Sequence, residues 1–398
     1  MREIQRPHTA QKVSKSSPQS QSWIRVQPCI VERPQAFVHS LCCILTSATP
    51  HVLAEQNRLN MASPSIKCAV LIHEDRPAYE TGMRILLLSL KEHFPAATPI
   101  VHAPNASADF SSWVQDSGIQ LVRDRISTKG GWNIKPDLLM WGLSQGYERV
   151  VFLDSDIVVN RDPSSLFLVP KDQLSVAELG HPLSISTKSL SKFWGLTPHR
   201  NFYRSPSGCA IGASVEHTEL LQQWSSLLSR EDYQYWQSLP LKQRPPAARG
   251  DDEILATLLG SSEFGDVSLR TIDSSGEIAQ CLSPSDYSCV ARIHNFLGKG
   301  PILVHAMGKK PWLVSTQTHD QTYYSMSPYT CVARKYKEQL PPSHRRWMNE
   351  SRLSRYWLAM TRGNPAAATF PHAFIDTVQR FGLRSTFKQM RNYLESVR

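Results

Sequence analysis

The chain has 398 residues, of which 41% are hydrophobic and 20% are charged. These values exclude wholesale disorder and leave room for one large α/β domain with appendages or for two ordinary domains. The formal net charge of +10 is concentrated near the two ends of the chain, which favours solvated basic termini over a nucleic-acid-binding face, so we expect no nucleic-acid partner.

The first 64 residues are rich in Gln, Ser, Pro and Arg and have no sustained hydrophobic period, which predicts a disordered N-terminal extension. Residues 36–54 are its most apolar part, and their basic flank also fits a weak signal anchor or a targeting peptide. No run of 18 uncharged apolar residues exists, and the eight cysteines form no C-x-x-C pair. A cytoplasmic protein, free or at a membrane surface, is therefore favoured over one in the Golgi lumen.

Residues 65–335 show the pattern of a catalytic domain in which short apolar runs alternate with helical periodicity. This alternation predicts an α/β fold with a mainly parallel central sheet flanked by helices. In such sheets ligands bind beyond the carboxyl ends of the strands. The predicted strands are 67–73, 99–103, 119–123 and 148–153, and the predicted helices are 78–94, 108–117 and 136–143.

The second half of the chain is less regular. Strands are predicted at 207–214 and 302–306, helices at 217–228 and 251–259, a proline-rich loop at 239–248 and an irregular segment at 261–295. Residues 336–398 are predicted to form a helical, basic extension with amphipathic segments at 374–381 and 387–397. These helices either pack on the catalytic domain or make peripheral contact with an anionic membrane surface.

Two aspartates, Asp154 and Asp156, follow the apolar strand 148–153 with only Ser155 between them. Alternation sends both carboxylates to one side of an extended segment. There they can hold Mn²⁺ or Mg²⁺, whose open positions accept a diphosphate. A solvated turn has the same local pattern, so the motif alone does not establish this function.

Phosphatases of the haloacid-dehalogenase type offer a second interpretation of this motif, with Asp154 as nucleophile and Asp156 as general acid and base. Two features count against it. Ile157 and Val158 stand where that class has Gly-Thr, and the motif follows four predicted strands instead of opening the domain.

A second block follows the predicted strand 302–306. His305 ends the apolar run, Gly308 allows close backbone approach, and Lys310 precedes Pro311 and Trp312. A neutral imidazole can complete a metal site begun by two carboxylates, and a lysine can bind phosphate as a point charge.

Over residues 67–312 the chain resembles glycosyltransferase family 8. Two of its blocks carry the resemblance, and they comprise Asp154, Asp156, Asp162, Pro163, Leu166 and Phe167 in the first and His305, Gly308, Lys310, Pro311 and Trp312 in the second. The resemblance implies a GT-A fold and a retaining transfer of a hexose or hexuronic acid from a UDP-sugar to a glycan, lipid or protein acceptor. It also implies a metal site formed by Asp154, Asp156 and His305.

The same resemblance assigns the donor-binding residues, which are Tyr79, Lys135, Asp154, Ser155, Asp156, Ser207, Gly308 and Lys310. It assigns Asp251 and Lys310 to catalysis, with Asp251 either positioning the donor sugar or acting as a nucleophile. In the alternative retaining mechanism the leaving phosphate takes the acceptor's proton, and the protein supplies electrostatic stabilisation.

The chain departs from the family on the side of the site that selects the sugar. Pro206 replaces the asparagine of an Asn-Ser-Gly block, and Asp252 follows Asp251 where the family has glutamine. These departures leave a third interpretation open, a GT-A domain that binds nucleotide or glycan without turnover. Residues 129–132, Lys-Gly-Gly-Trp, fit either a loop that closes over the donor or an ordinary surface turn.

Overall fold

The structure is a computed structural model that describes residues 66–183, 185–274, 276–280, 300–308, 310–313 and 327–348. A seven-stranded, mostly parallel sheet lies between helices, and a three-stranded sheet accompanies it. The predicted α/β class with a mainly parallel central sheet is confirmed. The predictions for residues 1–64, 374–381 and 387–397 fall outside the described residues.

The main sheet is formed by β1 (Cys68–His73), β2 (Thr98–His102), β3 (Gln120–Val122), β4 (Arg149–Leu153), β6 (Gln173–Pro182), β7 (Arg204–Ala213) and β8 (Ser268–Ile272). Their spatial order is β3-β2-β1-β4-β7-β6-β8. The first four strands in this order, β3, β2, β1 and β4, run parallel to one another, whereas β7 is antiparallel to both β4 and β6. The carboxyl ends of β1, β2 and β4 therefore meet at one edge of the sheet.

The central strands are apolar at nearly every position because both faces of the sheet are covered. Alternate residues of β1 enter two different cores, with Ala69 and Leu71 on one face and Val70 and Ile72 on the other. Each core includes side chains of different helices, so the sheet is buried between two helical layers.

The helices are α1 (Glu80–His93), α2 (Ala108–Asp116), α3 (Lys135–Ser144), α4 (Ser164–Phe167), α5 (Thr187–Phe193), α6 (Thr218–Ser229), α7 (Glu231–Ser238), α8 (Asp251–Leu259), α9 (Pro328–Ala333) and α10 (Pro342–Arg345). Serine side chains at residues 107, 186 and 327 accept a backbone N–H and so cap the first turns of α2, α5 and α9. Short 3₁₀ helices occur at Pro77–Tyr79, Gly131–Ile134, Val215–His217, Leu241–Gln243, Pro246–Ala248, Pro311–Leu313, Arg334–Gln339 and Arg346–Met348.

The smaller sheet consists of β5 (Ile157–Val159), β9 (Ile278–Gln280) and β10 (Leu303–His305) in the order β5-β10-β9. Strand β5 starts directly after Asp156 and pairs antiparallel with β10, so that His305 faces Ile157 in the register. This pairing brings the end of β10 beside the turn that follows β4.

All strands and helices predicted between residues 67 and 259 are present, and α8 coincides with its predicted range. The prediction of an irregular segment over 261–295 is wrong for its described part, because β8 and β9 lie there. The 239–248 loop contains two of the 3₁₀ helices, and β5, β6, α4, α5, α7 and α9 were not predicted. Short or mixed-polarity strands such as β9 show no clear period because neighbouring strands, not alternation, hold them in place.

Residues 327–348 pack on the smaller sheet. Tyr336, Trp347 and Met348 share a core cluster with Val304, and Trp312 packs against the same cluster. Within the described part of the chain, no helix is long and apolar enough to cross a membrane.

Candidate functional site

The Asp154–Asp156 motif forms the turn between β4 and β5. The Asp154 N–H donates to the Cys209 carbonyl at 2.8 Å, and the Ile157 N–H donates to the Asp154 carbonyl at 3.0 Å. The Asp154 side chain keeps 27% of its surface exposed, whereas that of Asp156 keeps 7%. Backbone hydrogen bonds thus hold both carboxylates at the carboxyl end of a buried strand.

His305 meets both aspartates. Its Nε2 lies 3.2 Å from Asp156 Oδ1 and 3.7 Å from Asp154 Oδ2. The Ala306 N–H donates to the Asp156 carbonyl at 2.9 Å, which ties the end of β10 to the turn. The three residues predicted to bind metal therefore lie together, with one ligand atom of each within 4.8 Å of the others.

These three residues fit a divalent cation by the chemistry of their donors. Two carboxylate oxygens and one imidazole nitrogen are groups that bind divalent metal ions in proteins. Burial alone raises the pKa of Asp156, but His305 and Lys310 outweigh it and the pKa is lowered, which keeps this carboxyl ionised.

Lys310 approaches Asp156 from the cavity side. Its Nζ contacts the Asp156 carboxylate and donates to the Ala306 carbonyl at 2.7 Å. Gly308 has a φ of +73°, a left-handed conformation that glycine adopts without strain. This turn after β10 directs the chain back toward the aspartates.

Lys135 occupies the opposite side of Asp154. It is the first residue of α3, it is buried, and its Nζ lies 3.4 Å from Asp154 Oδ1 and 3.0 Å from Asp251 Oδ2. Burial lowers the pKa of Lys135, but the two carboxylates outweigh burial and raise it well above its usual value. Burial raises the pKa of Asp251 to about 7 despite the opposing effect of Lys135.

Asp252 organises the start of the Ser207-Gly208 segment. Its carboxylate accepts the Ser207 hydroxyl at 3.1 Å and the Gly208 N–H at 2.7 Å. A Cβ on Gly208 would lie 3.2 Å from Asp251 Oδ2 and from the Trp224 ring, so this position has little room for a side chain. Sequence reasoning missed this role of Asp252, although its place beside Asp251 in an unusual acidic triplet was a usable signal.

A cavity of about 470 Å³ opens over the aspartates. It is lined by His73, Glu74, Asp75, Arg76, Tyr79, Gly131, Trp132, Lys135, Phe152, Asp154, Ser155, Asp156, His305, Met307, Gly308 and Lys310. All the predicted donor-binding and metal-binding residues except Ser207 are among them. Asp251 and Ser207 are not among the residues that line the cavity, and Asp251 contacts Lys135, which is.

No protein-family model matches the chain, and a search of curated proteins finds no match. Similar solved structures include two of the glycosyltransferase GlyE from Streptococcus pneumoniae TIGR4. Its apo form has 16% identity and a TM-score of 0.40 and covers 69% of this chain and 63% of that one. A second GlyE structure has 17% identity and a TM-score of 0.39 and covers 69% and 64% of the two chains.

The bifunctional glycosyltransferase WbbM in its apo structure is also similar, with 16% identity and a TM-score of 0.40. The match covers 63% of this chain and 48% of that one. The chain therefore spans less than two thirds of the length of each of these three structures.

Four cavity residues that sequence reasoning missed lie at positions 73–76, where the first ends β1 and the other three follow it directly. Glu74 accepts the Ser155 hydroxyl at 2.7 Å and two nitrogens of Arg76 at 2.7 and 3.0 Å. The Arg76 guanidinium in turn lies 3.6 Å from the centroid of the Tyr79 ring. Their position after a buried parallel strand was the available signal, since ligands collect at such strand ends.

The 129–132 segment borders the cavity. Trp132 is half exposed on the cavity wall, and the Gly131 N–H donates to Asp75 Oδ2 at 3.1 Å. Lys129 forms an ion pair with Asp137 at 2.9 Å. These contacts anchor the segment at Lys129 and at Gly131.

Proposed function

We propose that this chain is a retaining glycosyltransferase of the GT-A type that uses a nucleotide-sugar donor and a divalent metal, Mn²⁺ or Mg²⁺. One observation carries the proposal: the carboxylates of Asp154 and Asp156 converge with the His305 imidazole inside a cavity that also contains Lys310. A bound metal at this position would neutralise the charge that develops on a departing nucleoside diphosphate.

Two lysines of the chain would stabilise the rest of the negative charge on the donor. Lys310 binds the diphosphate as a point charge, exchanging its contact with Asp156 for one with phosphate. Lys135 contributes a second cation at the other side of Asp154. Both lysines lie where negative charge accumulates as the sugar leaves.

Asp251 is better suited to positioning than to nucleophilic attack. Its carboxylate is paired with Lys135 and does not line the cavity. This arrangement favours the mechanism in which the leaving phosphate takes the acceptor's proton, because that mechanism needs no dedicated carboxylate beside the sugar.

The donor is proposed to be a UDP-sugar carrying a hexose or hexuronic acid, on the basis of the family resemblance. The acceptor is proposed to be a glycan, lipid or protein. If the acceptor is lipid-linked, the basic C-terminal region would hold the enzyme at an anionic membrane surface.

Two alternatives predict different behaviour. A phosphatase would form a phosphoaspartate at Asp154 and would not need His305, yet His305 contacts both aspartates. The sequence leaves open a domain that only binds nucleotide, because Pro206 and Asp252 depart from the family pattern. It would bind donor with metal but release no sugar.

The test combines binding with donor hydrolysis. A panel of nucleotide-sugars is added with and without Mn²⁺, and thermal stability and sugar release are measured. A ligand at a hundredfold its Kd stabilises the protein by about 2.7 kcal/mol, a readily measured shift. We expect a metal-dependent shift with at least one UDP-sugar and slow release of its sugar. Asp156→Ala should remove both, and a shift that persists in Asp156→Ala contradicts the proposal.

A further inference from the structure

His305 has one ring nitrogen that faces the aspartates and one that does not. Its Nε2 lies 3.2 Å from Asp156 Oδ1 and 3.7 Å from Asp154 Oδ2. Its Nδ1 is buried and has no hydrogen-bond partner at standard distance and angle. Because this atom is shielded from bulk water, the lack of a partner is unfavourable unless a neighbouring group supplies the missing hydrogen bond.

Metal binding fixes which nitrogen of the ring carries the hydrogen. A neutral imidazole binds a metal through the lone pair of one nitrogen, and the hydrogen is then on the other. Since Nε2 of His305 faces Asp154 and Asp156, a shared metal requires the lone pair on Nε2 and the hydrogen on Nδ1. Metal-binding histidines in proteins almost always donate this second N–H to an acceptor, which orients the ring. The metal site therefore needs an acceptor at Nδ1 of His305.

Cys209, in β7, is the residue that can supply this acceptor. It is buried, with 2% of its surface exposed, and its thiol is close enough to the His305 ring to act on it as a hydrogen-bonding group. Its backbone carbonyl accepts the Asp154 N–H at 2.8 Å. One residue outside the metal-binding triad thus interacts with two members of it, through its side chain with His305 and through its backbone with Asp154.

Gln280 indicates that the Cys209 sulfur accepts hydrogen bonds. Gln280 faces His305 in the parallel register of β9 and β10. Its Oε1 accepts the Gly180 N–H at 3.0 Å, so the Nε2 end of the amide faces Cys209, and it lies 3.6 Å from Sγ. An amide nitrogen donates and does not accept, whereas a thiol sulfur is a weak acceptor. The sulfur therefore already accepts one N–H, and its second lone pair remains for another.

The opposite arrangement, in which the thiol donates to Nδ1, has a different consequence for the site. The ring hydrogen of His305 is then on Nε2 and points at the carboxylates of Asp154 and Asp156. This tautomer can pair with the carboxylates, but it has no lone pair for a metal. The direction of the hydrogen bond between the thiol and the ring thus decides whether His305 can bind metal.

We infer that Cys209 is a positioning residue of the metal site, whose sulfur accepts the Nδ1–H of His305 and so presents the Nε2 lone pair to the metal. Gln280 assists by holding the sulfur from β9. The inference rests on the proposed function and adds to it a residue that belongs to neither the aspartate motif nor the 305–312 block. Because sulfur is a weak acceptor, an oxygen in its place should perform the same role.

The first test measures the Mn²⁺ affinity of the full chain in the presence of UDP by electron paramagnetic resonance. In Cys209→Ala we expect this affinity to fall about tenfold, as is typical when the partner of a metal-binding histidine is removed. Cys209→Ser should stay within about threefold of the wild type, because its hydroxyl oxygen can accept the same N–H.

Cys68→Ala is the matched control for Cys209→Ala. Cys68 is also a buried free cysteine, with 3% of its surface exposed, and it belongs to the same core cluster. It does not line the cavity. The control loses the same atoms from the same core, so we expect it to bind Mn²⁺ as the wild type does.

A second measurement determines the tautomer of His305. Nitrogen NMR of the ¹⁵N-histidine-labelled protein in Mg²⁺ and UDP detects which ring nitrogen carries the hydrogen, and the signal lost in His305→Ala identifies the ring. We expect the hydrogen on Nδ1 in the wild type and in Cys209→Ser, and both tautomers in Cys209→Ala. A cysteine that only fills space would leave the tautomer unchanged on substitution.

The outcomes separate this inference from the proposed function. Three results overturn the inference and leave metal-dependent nucleotide binding intact: equal Mn²⁺ affinity in Cys209→Ala and Cys68→Ala, equal loss in Cys209→Ala and Cys209→Ser, or a His305 hydrogen on Nε2 in the wild type. If the wild-type chain binds no Mn²⁺ in the presence of UDP, the proposed function fails, and the inference fails with it.

Discussion

Two lysines contact the aspartate motif from opposite sides, and their surroundings differ. Lys310 lies on the cavity wall in a segment that turns at Gly308, and its Nζ has Asp156 and one carbonyl as partners. Lys135 starts a helix and is held between Asp154 and Asp251 with 5% of its side chain exposed. Similar charge pairs therefore serve different ends, because Lys310 can exchange partners with a ligand, whereas Lys135 balances the two carboxylates that enclose it.

Removal of the buried cation should have the largest effect. In Lys135→Met, the buried Asp251 loses its ion-pair partner beside a second carboxylate, that of Asp252. Breaking such a pair from one side costs about 3–5 kcal/mol, so we expect the free energy of unfolding to fall by that amount in urea titrations. The double variant Lys135→Met with Asp251→Asn should recover part of the loss. A loss below about 1 kcal/mol would remove the distinction between the two lysines.

His305→Ala should weaken the metal site with little effect on the fold. Loss of one of three protein ligands is expected to reduce Mn²⁺ affinity in the presence of UDP by about a hundredfold, or about 2.7 kcal/mol. Free Mn²⁺ measured by electron paramagnetic resonance gives this affinity directly. His93→Ala serves as the control, since His93 lies in the last turn of α1 and does not line the cavity. Equal Mn²⁺ affinity in both variants would falsify the assignment of His305 as a ligand.

Gly82→Ala tests how tightly α1 supports the motif. A Cβ at Gly82 would lie 2.6 Å from the Ser155 carbonyl and 2.8 Å from the Trp312 ring, so the turn or the ring must move. Overpacking of this kind costs about 1–3 kcal/mol of unfolding free energy, and we expect donor hydrolysis to fall as well. Gly180→Ala is the matched control, because no atom lies within 4 Å of a Cβ there. If Gly82→Ala is as stable and as active as Gly180→Ala, α1 can shift without disturbing the aspartate motif.

Lys310→Met should have the smallest effect, and only in the presence of donor. We expect UDP binding to weaken about tenfold through loss of one charged contact, while the free energy of unfolding changes by less than about 1 kcal/mol. Calorimetry of UDP binding and urea unfolding measure the two quantities. Lys171→Met, at a side chain that is 62% exposed, provides the control. A stability loss as large as that of Lys135→Met would show that both lysines serve the fold.

Much of the sheet and half of the site could be predicted from local sequence. The apolar runs of β1 and β4 are buried on both faces, and the helical period of 251–259 matches α8. Strand β5 was missed because three apolar residues after a turn show no measurable period. The role of Asp252 was missed because it depends on a partner distant in sequence, the Ser207-Gly208 segment.

The sequence by itself determined which chemical groups end the strands: two carboxylates after β4, and an imidazole and a lysine at and after β10. Only the tertiary structure decided that they meet, because the antiparallel pairing of β5 with β10 joins segments far apart in the chain. Local alternation fixes the direction of a side chain relative to its own strand. It contains no information on which strand becomes the neighbour, and in this protein that choice brings His305 to Asp154 and Asp156.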